Sequence, residues 1–247
     1  MYPRSAVSYG AVSGAPLFPC RAGGYPIDSG DPSERETMMD IGIIGAGNVG
    51  SALARRLTEV GHQVTISASS PDSPRLAEAT AGTGVTAGDA AQAADAELVV
   101  LAVPFTDIGD TLTGPVADAL AGSTVIDVTN PLGPDHMSLR IGHDTSAAEQ
   151  VAAMVPAANV VKAFNTVLAP NHARPVLGGV RQSVPVAGDD LAARKTVQEL
   201  GTQLGFDTVD AGPLSSARYL EPVAALLIQV AYGGGAGPTV GFALARD

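Results

Sequence analysis

From residue 40 onward the chain alternates short apolar runs with amphipathic stretches. Residues 41–45 form an apolar run that enters Gly45-Ala46-Gly47-Asn48-Val49-Gly50, and a helix follows to residue 60, where Gly61 closes it. Residues 63–68 predict a second strand. Pro74 suits the first turn of a helix to about residue 80, Val85-Thr86 a short third strand, and Asp89 the cap of a small helix. Residues 97–103 predict a strand that is apolar without a break after Glu97, the pattern of a parallel strand covered on both faces. Further strands are predicted at 123–129, 159–164, 183–187 and 206–209, with helices at 146–154, 190–204 and 215–232. Alternating units of this kind imply an α/β fold of the Rossmann type, a doubly wound and mainly parallel sheet with right-handed crossovers. A small C-terminal α/β extension completes it. The expected organisation is a dinucleotide-binding domain over 39–157 and a C-terminal part over 158–247 that completes the cleft for a second substrate.

Residues 1–38 show neither a period of two nor one of 3.6, and they are rich in Gly, Pro, Ser and Arg. Leu17-Phe18-Pro19-Cys20 has the outline of a lipoprotein cleavage box, but Phe18 and Pro19 are not small and no apolar run precedes them. The segment is expected to be a disordered leader, or a start assigned too early, with Met38-Met39 the natural beginning.

A Gly-x-Gly-x-x-Gly pattern alone is a weak signal. Between an apolar strand and a helix start it becomes a dinucleotide fingerprint. Gly45 serves the tight turn, Gly47 the approach of a pyrophosphate, and Gly50 the close packing of helix on strand. The helix start offers unpaired N–H groups to phosphates. The tip of the second strand selects the dinucleotide, and an NAD site wants a carboxylate there. This chain has Ala68-Ser69-Ser70, small hydroxyl residues with room for a 2′-phosphate, and Arg75 nearby to add charge. The expectation is NADP, with Asp72 as the opposing feature.

Composition narrows the field. Fourteen Lys and Arg stand against 25 Asp and Glu, a net charge of −11. That balance argues against nucleic acid and against an anionic membrane surface. Residues 1–38 carry −1 and the remainder −10, so capture of anionic ligands must come from local donors rather than bulk charge. A single cysteine, Cys20, rules out an internal disulfide, and the four histidines lack metal-binding spacing, so no metal is expected. No apolar run approaches a membrane span, and a cytoplasmic location is the default.

Several segments together resemble the NADP oxidoreductases that use the deazaflavin coenzyme F420. They are the stretch from Asp40 to Gly50, Leu101-Ala102-Val103-Pro104-Phe105, Val161-Lys162-Ala163-Phe164-Asn165-Thr166, Pro185-Val186-Ala187-Gly188-Asp189-Asp190, and Asp210-Ala211-Gly212-Pro213-Leu214-Ser215-Ser216-Ala217-Arg218. The segment 162–166 is also similar to the soluble reductase domains of membrane ferric reductases. The resemblance implies hydride transfer between the deazaflavin and NADP, with the two rings stacked in one cleft. It implies that Ala46, Gly47, Asn48 and Val49 hold the dinucleotide, that the nicotinamide is lined by Val103, Pro104, Phe105 and Ala169, with Asn130 close by, and that the deazaflavin lies against the segments around Asn165 and Leu214.

Direct hydride transfer needs proximity and orientation more than a proton shuttle, and no catalytic triad or paired base is evident. Asp190 reads as a helix cap rather than half of a metal pair with Asp189. His136 and His143 flank a loop that could cover a site, but lone loop histidines are more often solvated. Lys162, near the C-terminal end of an apolar strand, either anchors an anionic group of the second substrate or reaches solvent. Arg218 and Glu221 are expected to form a surface pair. Leu220, Val223, Ala224, Leu227, Ile228 and Ala231 make an apolar stripe that is either core or the face of a homodimer. Two other functions stay open: an NADPH-dependent reductase of a flavin, ferric chelate or small carbonyl or imine, and a non-catalytic NADP sensor.

Overall fold

A computed structural model describes residues 38–246, so the expectations for the leader fall outside the described residues apart from Met38. Ten strands occur among the described residues: β1 (Asp40–Ile44), β2 (Gln63–Ser67), β3 (Thr86–Gly88), β4 (Leu98–Leu101), β5 (Thr124–Asp127), β6 (Asn159–Lys162), β7 (Val176–Leu177), β8 (Val180–Arg181), β9 (Ser183–Gly188) and β10 (Asp207–Gly212). Eight form one sheet in the order β10-β9-β6-β5-β4-β1-β2-β3, and β7 and β8 make a small separate hairpin. The α-helices are α1 (Asn48–Glu59), α2 (Pro74–Thr80), α3 (Ala90–Ala94), α4 (Ile108–Thr111), α5 (Gly114–Ala119), α6 (Ala147–Met154), α7 (Leu191–Gln203) and α8 (Ala217–Ile228). This is the Rossmann-type fold. The order reverses between β1 and β4, the crevice where open α/β sheets bind ligands.

The sheet is covered on both faces, which is why β4 has no polar position. Leu98 and Val100 point into one core with α1 and α7 side chains, whereas Val99 and Leu101 point into the other with α6 side chains. Every neighbouring pair is parallel except β6 and β9, where Val161 faces Gly188 and Lys162 faces Ala187 in antiparallel register. The connection over residues 163–182 carries no α-helix to cross a face of the sheet. The chain therefore returns beside β6 in the opposite direction, and β9-α7-β10 forms the C-terminal extension of the same sheet.

Local signals set most boundaries. Asp89 makes a reciprocal capping box with Gln92, Ser146 caps α6 through the Glu149 N–H, and Asp190 caps α7 through the Ala193 N–H. The apolar stretch expected as one helix over 215–232 is instead a short 3₁₀ turn at Leu214–Ser216, then α8, then a wider turn over Gln229–Gly233. Glycines at 233–235 weaken the last turn, and the Gly234 N–H reaches back five residues to the Gln229 carbonyl at 2.7 Å. No helix among the described residues is long and apolar enough to cross a membrane.

Candidate functional site

The glycine loop leaves β1 at the crevice, and its three glycines differ in what requires them. Gly45 has a φ of +116°, and a Cβ there would lie 2.5 Å from the Ala102 carbonyl oxygen. On Gly50 a Cβ would lie 1.9 Å from the Gly45 carbonyl oxygen, so α1 packs on the loop only without a side chain. Gly47 is under no such pressure, because the nearest atom to its Cβ would be the Ala102 oxygen at 4.0 Å. A side chain there would occupy only the open space over the start of α1. Gly47 is also the cap residue, no side chain caps the helix, and its first turn holds no acidic residue. The N–H groups and positive dipole of α1 are thus left for an anion, which is what a bound dinucleotide pyrophosphate requires.

The tip of β2 lies beside this loop, since the Gly45 N–H donates to the Ser67 carbonyl at 3.0 Å. Ala68 is half-buried, while Ser69, Ser70 and Arg75 are exposed. The Asp72 N–H donates to Ser70 Oγ at 3.3 Å, and no carboxylate occupies residues 67–71. The exit of β4 closes the other side. Val103 packs against Gly45, where an added Cβ would meet its Cγ1 at 3.2 Å, and Pro104 and Phe105 follow. Phe105 lines an open cavity of about 420 Å³ with Ile108, Arg140, Ile141, Ala147 and Met154. Asn130, after β5, and Asn165, after β6, are joined: Asn130 Nδ2 donates to the Asn165 carbonyl at 3.1 Å, and Asn165 Nδ2 donates to Asn130 Oδ1 at 3.0 Å. Ala169 begins a 3₁₀ turn packed near α1, and Leu214 is buried in the α6-side core with its N–H on Asp189 Oδ1 at 2.9 Å.

Two expectations are corrected. Lys162 neither anchors a ligand in an open cleft nor reaches solvent, because it is fully buried and its ammonium is occupied by Asp127, the Thr129 carbonyl and Glu221. Arg218 and Glu221 do not pair. Arg218 forms a two-pronged bond to Glu149, at 2.9 and 2.6 Å, which holds that carboxyl below the usual range. Glu221 turns inward, where burial raises its pKa against the opposing attraction of Lys162. In the apolar stripe Leu220, Ala224 and Ala231 are buried and Val223, Leu227 and Ile228 half-buried, in keeping with its reading as core. The exposed large apolar residues of this segment are instead Tyr219 and Leu226 on α8 and Val230 and Tyr232 in the turn after it.

Asp127 carries no expectation from the sequence, and Glu221 only that of a surface pair with Arg218. One signal was available: opposite charges, Asp127 and Lys162, each interrupt an apolar strand, and they prove to be register partners across β5 and β6. Nothing local points to Glu221, 59 residues beyond Lys162.

Comparison with known proteins fits this geometry. The family described as NADP oxidoreductase coenzyme F420-dependent matches residues 40–131. The crystal structure of a candidate F420-dependent NADP reductase from Arthrobacter sp. FB24 superposes with a TM-score of 0.76 at 32% identity, covering 84% of this chain and 100% of that one. This chain belongs to the F420-dependent NADP oxidoreductase family. A hypothetical protein from Sinorhizobium meliloti is similar at 30% identity and a TM-score of 0.66, covering 85% of this chain and 97% of that one. The rat metalloreductase STEAP3 is 34% identical over 188 residues, 74% of this chain and 36% of that protein. The chain thus spans about a third of the length of the metalloreductases it matches. Membership makes it an NADP-dependent oxidoreductase.

Proposed function

We propose that the protein transfers a hydride between NADP(H) and the deazaflavin coenzyme F420. The observation that carries this reading is the uncapped start of α1 under the open Gly47, set beside a β2 tip that offers serines and no carboxylate. The N–H groups from Ala46 to Gly50 hold the pyrophosphate, and Ala68, Ser69, Ser70 and Arg75 surround the 2′-phosphate. Val103, Pro104, Phe105 and Ala169 wall the nicotinamide. The linked Asn130 and Asn165 present a polar edge to the ring cleft, with Leu214 behind it. Bound NADPH supplies the hydride and the deazaflavin ring accepts it, so the residues orient two rings and exclude water rather than shuttle a proton at a triad.

The test mixes NADPH with oxidised F420 and follows the deazaflavin absorbance. Bleaching supports the reading, and its absence overturns it. In a companion titration, Ser69→Asp should lose NADP affinity while retaining or gaining NAD affinity; unchanged NADP affinity removes the 2′-phosphate assignment. A second reading draws on the similarity to STEAP3: reduction of a flavin or ferric chelate by NADPH. FMN and ferric citrate in the same assay decide between them. The exposed Tyr219 and Leu226 on α8, with Val230 in the turn after it, support a homodimer through that helix, which sedimentation of Leu226→Glu against the native protein tests.

A further inference from the structure

Three charged side chains, Asp127 on β5, Lys162 on β6 and Glu221 on α8, are buried together. Asp127 and Lys162 are 0% exposed and Glu221 is 1% exposed. Lys162 Nζ donates to Asp127 Oδ2 at 2.9 Å and to the Thr129 carbonyl, and it lies 2.9 Å from Glu221 Oε1. Taking such charges out of water is costly, and well-packed apolar residues often stabilise a core as well or better. Stability alone is therefore a poor account of the cluster.

The remaining bonds of each member run to one side of the crevice. Asp127 Oδ1 accepts from the Thr129 N–H at 2.9 Å while Lys162 takes the Thr129 carbonyl, so both backbone groups of the residue before Asn130 are fixed. Glu221 accepts from the Ala147 N–H at 3.0 Å and the Ala148 N–H at 3.3 Å, which sets the start of α6 and hence one wall of the Phe105 cavity. The Leu220 carbonyl, one peptide before Glu221, accepts from Asn165 Nδ2 at 3.1 Å, and that same nitrogen donates to Asn130. None of these bonds reaches α1 or the tip of β2.

We propose that Asp127, Lys162 and Glu221 form a positioning brace for the acceptor's side of the cleft, in which Glu221 couples the exits of β5 and β6 to the start of α6. Calling that side the acceptor's rests on the functional reading above. Glu221 suits the coupling role because a carboxylate accepts on both oxygens, serving Lys162 and the helix N–H groups at once. Oε1 takes Lys162 and the Ala148 N–H while Oε2 takes the Ala147 N–H, so glutamine with its one acceptor at Oε1 turns an NH2 donor against the Ala147 N–H and breaks the link to the first residue of α6.

The test compares Glu221→Gln with Arg218→Gln, which removes a separate link between α8 and α6, using steady-state kinetics with NADPH and F420. The brace predicts that Glu221→Gln raises the KM for F420 about tenfold while the KM for NADPH stays within about threefold, and that Arg218→Gln leaves both within that limit. Glu221→Asp, which keeps the charge on a shorter stem, should recover part of the loss and carries the comparison if Glu221→Gln does not fold. Hydrogen exchange should quicken at the N–H groups of Thr129, Ala147 and Ala148 and stay unchanged at residues 48–50. Equal shifts in both KM values, an equal F420 effect from Arg218→Gln, or an unchanged exchange pattern each overturns the brace. If the native protein reduces FMN instead of F420, the kinetics use FMN. If it reduces neither, the functional reading falls and the exchange pattern alone decides the brace.

Discussion

The two halves of the crevice are held by different physics. Around β1, α1 and β2 the chain is positioned by contacts of backbone on backbone: Gly45 against Ala102, Gly50 against Gly45, and the Gly45 N–H on Ser67. Around β5, β6, α6 and α8 the chain is positioned by side chains, with Asp127, Lys162 and Glu221 at the centre and the Asn130–Asn165 link at the rim. The first arrangement runs from Gly45 to Ala102 and tolerates almost no added atom at Gly45 or Gly50. The second spans almost a hundred residues and tolerates shape changes better than it tolerates an unpaired charge. A half that presents bare N–H groups benefits from having no side chains, whereas the other half, on the proposed function the acceptor's, benefits from side chains that can vary.

The sharpest way to break the second half is Lys162→Met. It leaves two buried carboxylates without their cation and should lower unfolding free energy by about 3–5 kcal/mol in urea denaturation. In the first half, Gly50→Ala forces a Cβ into the Gly45 carbonyl and should cost about 3 kcal/mol, an overpacking effect. It should also abolish NADPH binding by calorimetry, which the comparison requires of a loop residue. Should Gly50→Ala bind NADPH normally, the backbone account of the first half fails.

Acid probes a group that belongs to neither half. His172 is fully buried, beside Phe164 and Phe206 at ring distances of 6.4 and 6.5 Å, and burial pushes its pKa from 6.5 down to about 4. Below pH 6.5 the unfolded chain takes up a proton that the folded chain refuses until about pH 4. Stability therefore falls as pH drops through that window, by about 3 kcal/mol in all. Glu221, whose folded pKa is raised, tilts the opposite way, so the difference between native protein and His172→Leu across a urea–pH series isolates the histidine. A native slope equal to that of the variant counts against a buried neutral imidazole. The smallest effect sharpens the contrast within α6: Ser146→Ala removes the local cap and should cost about 1 kcal/mol by thermal unfolding, because Glu221 still holds the Ala147 and Ala148 N–H groups.

Much of this was legible in the sequence, for a physical reason that differs between the halves. Strand periods, Pro74 at a helix start, Asp89 and Asp190 as caps, and the glycine fingerprint are local signals, and α2 begins and ends at the expected residues. The short helices α4 and α5 were missed because a four- and a six-residue segment carry too little period to be seen. The inward turn of Glu221 was missed because its partners are contributed by β6 and α6. On α8 itself, three residues from Arg218, an ion pair was the natural expectation.

The sequence by itself determined the alternation of strand and helix, the fingerprint loop, and the absence of a carboxylate at the tip of β2, since these depend on neighbours within a few residues. Tertiary structure alone decided that β9 runs against β6, that Lys162 is enclosed rather than presented, and that Asn130 and Asn165 form one unit. Each of these depends on which strands become neighbours, and that is fixed only when the sheet closes around both cores and every buried charge must find its partner.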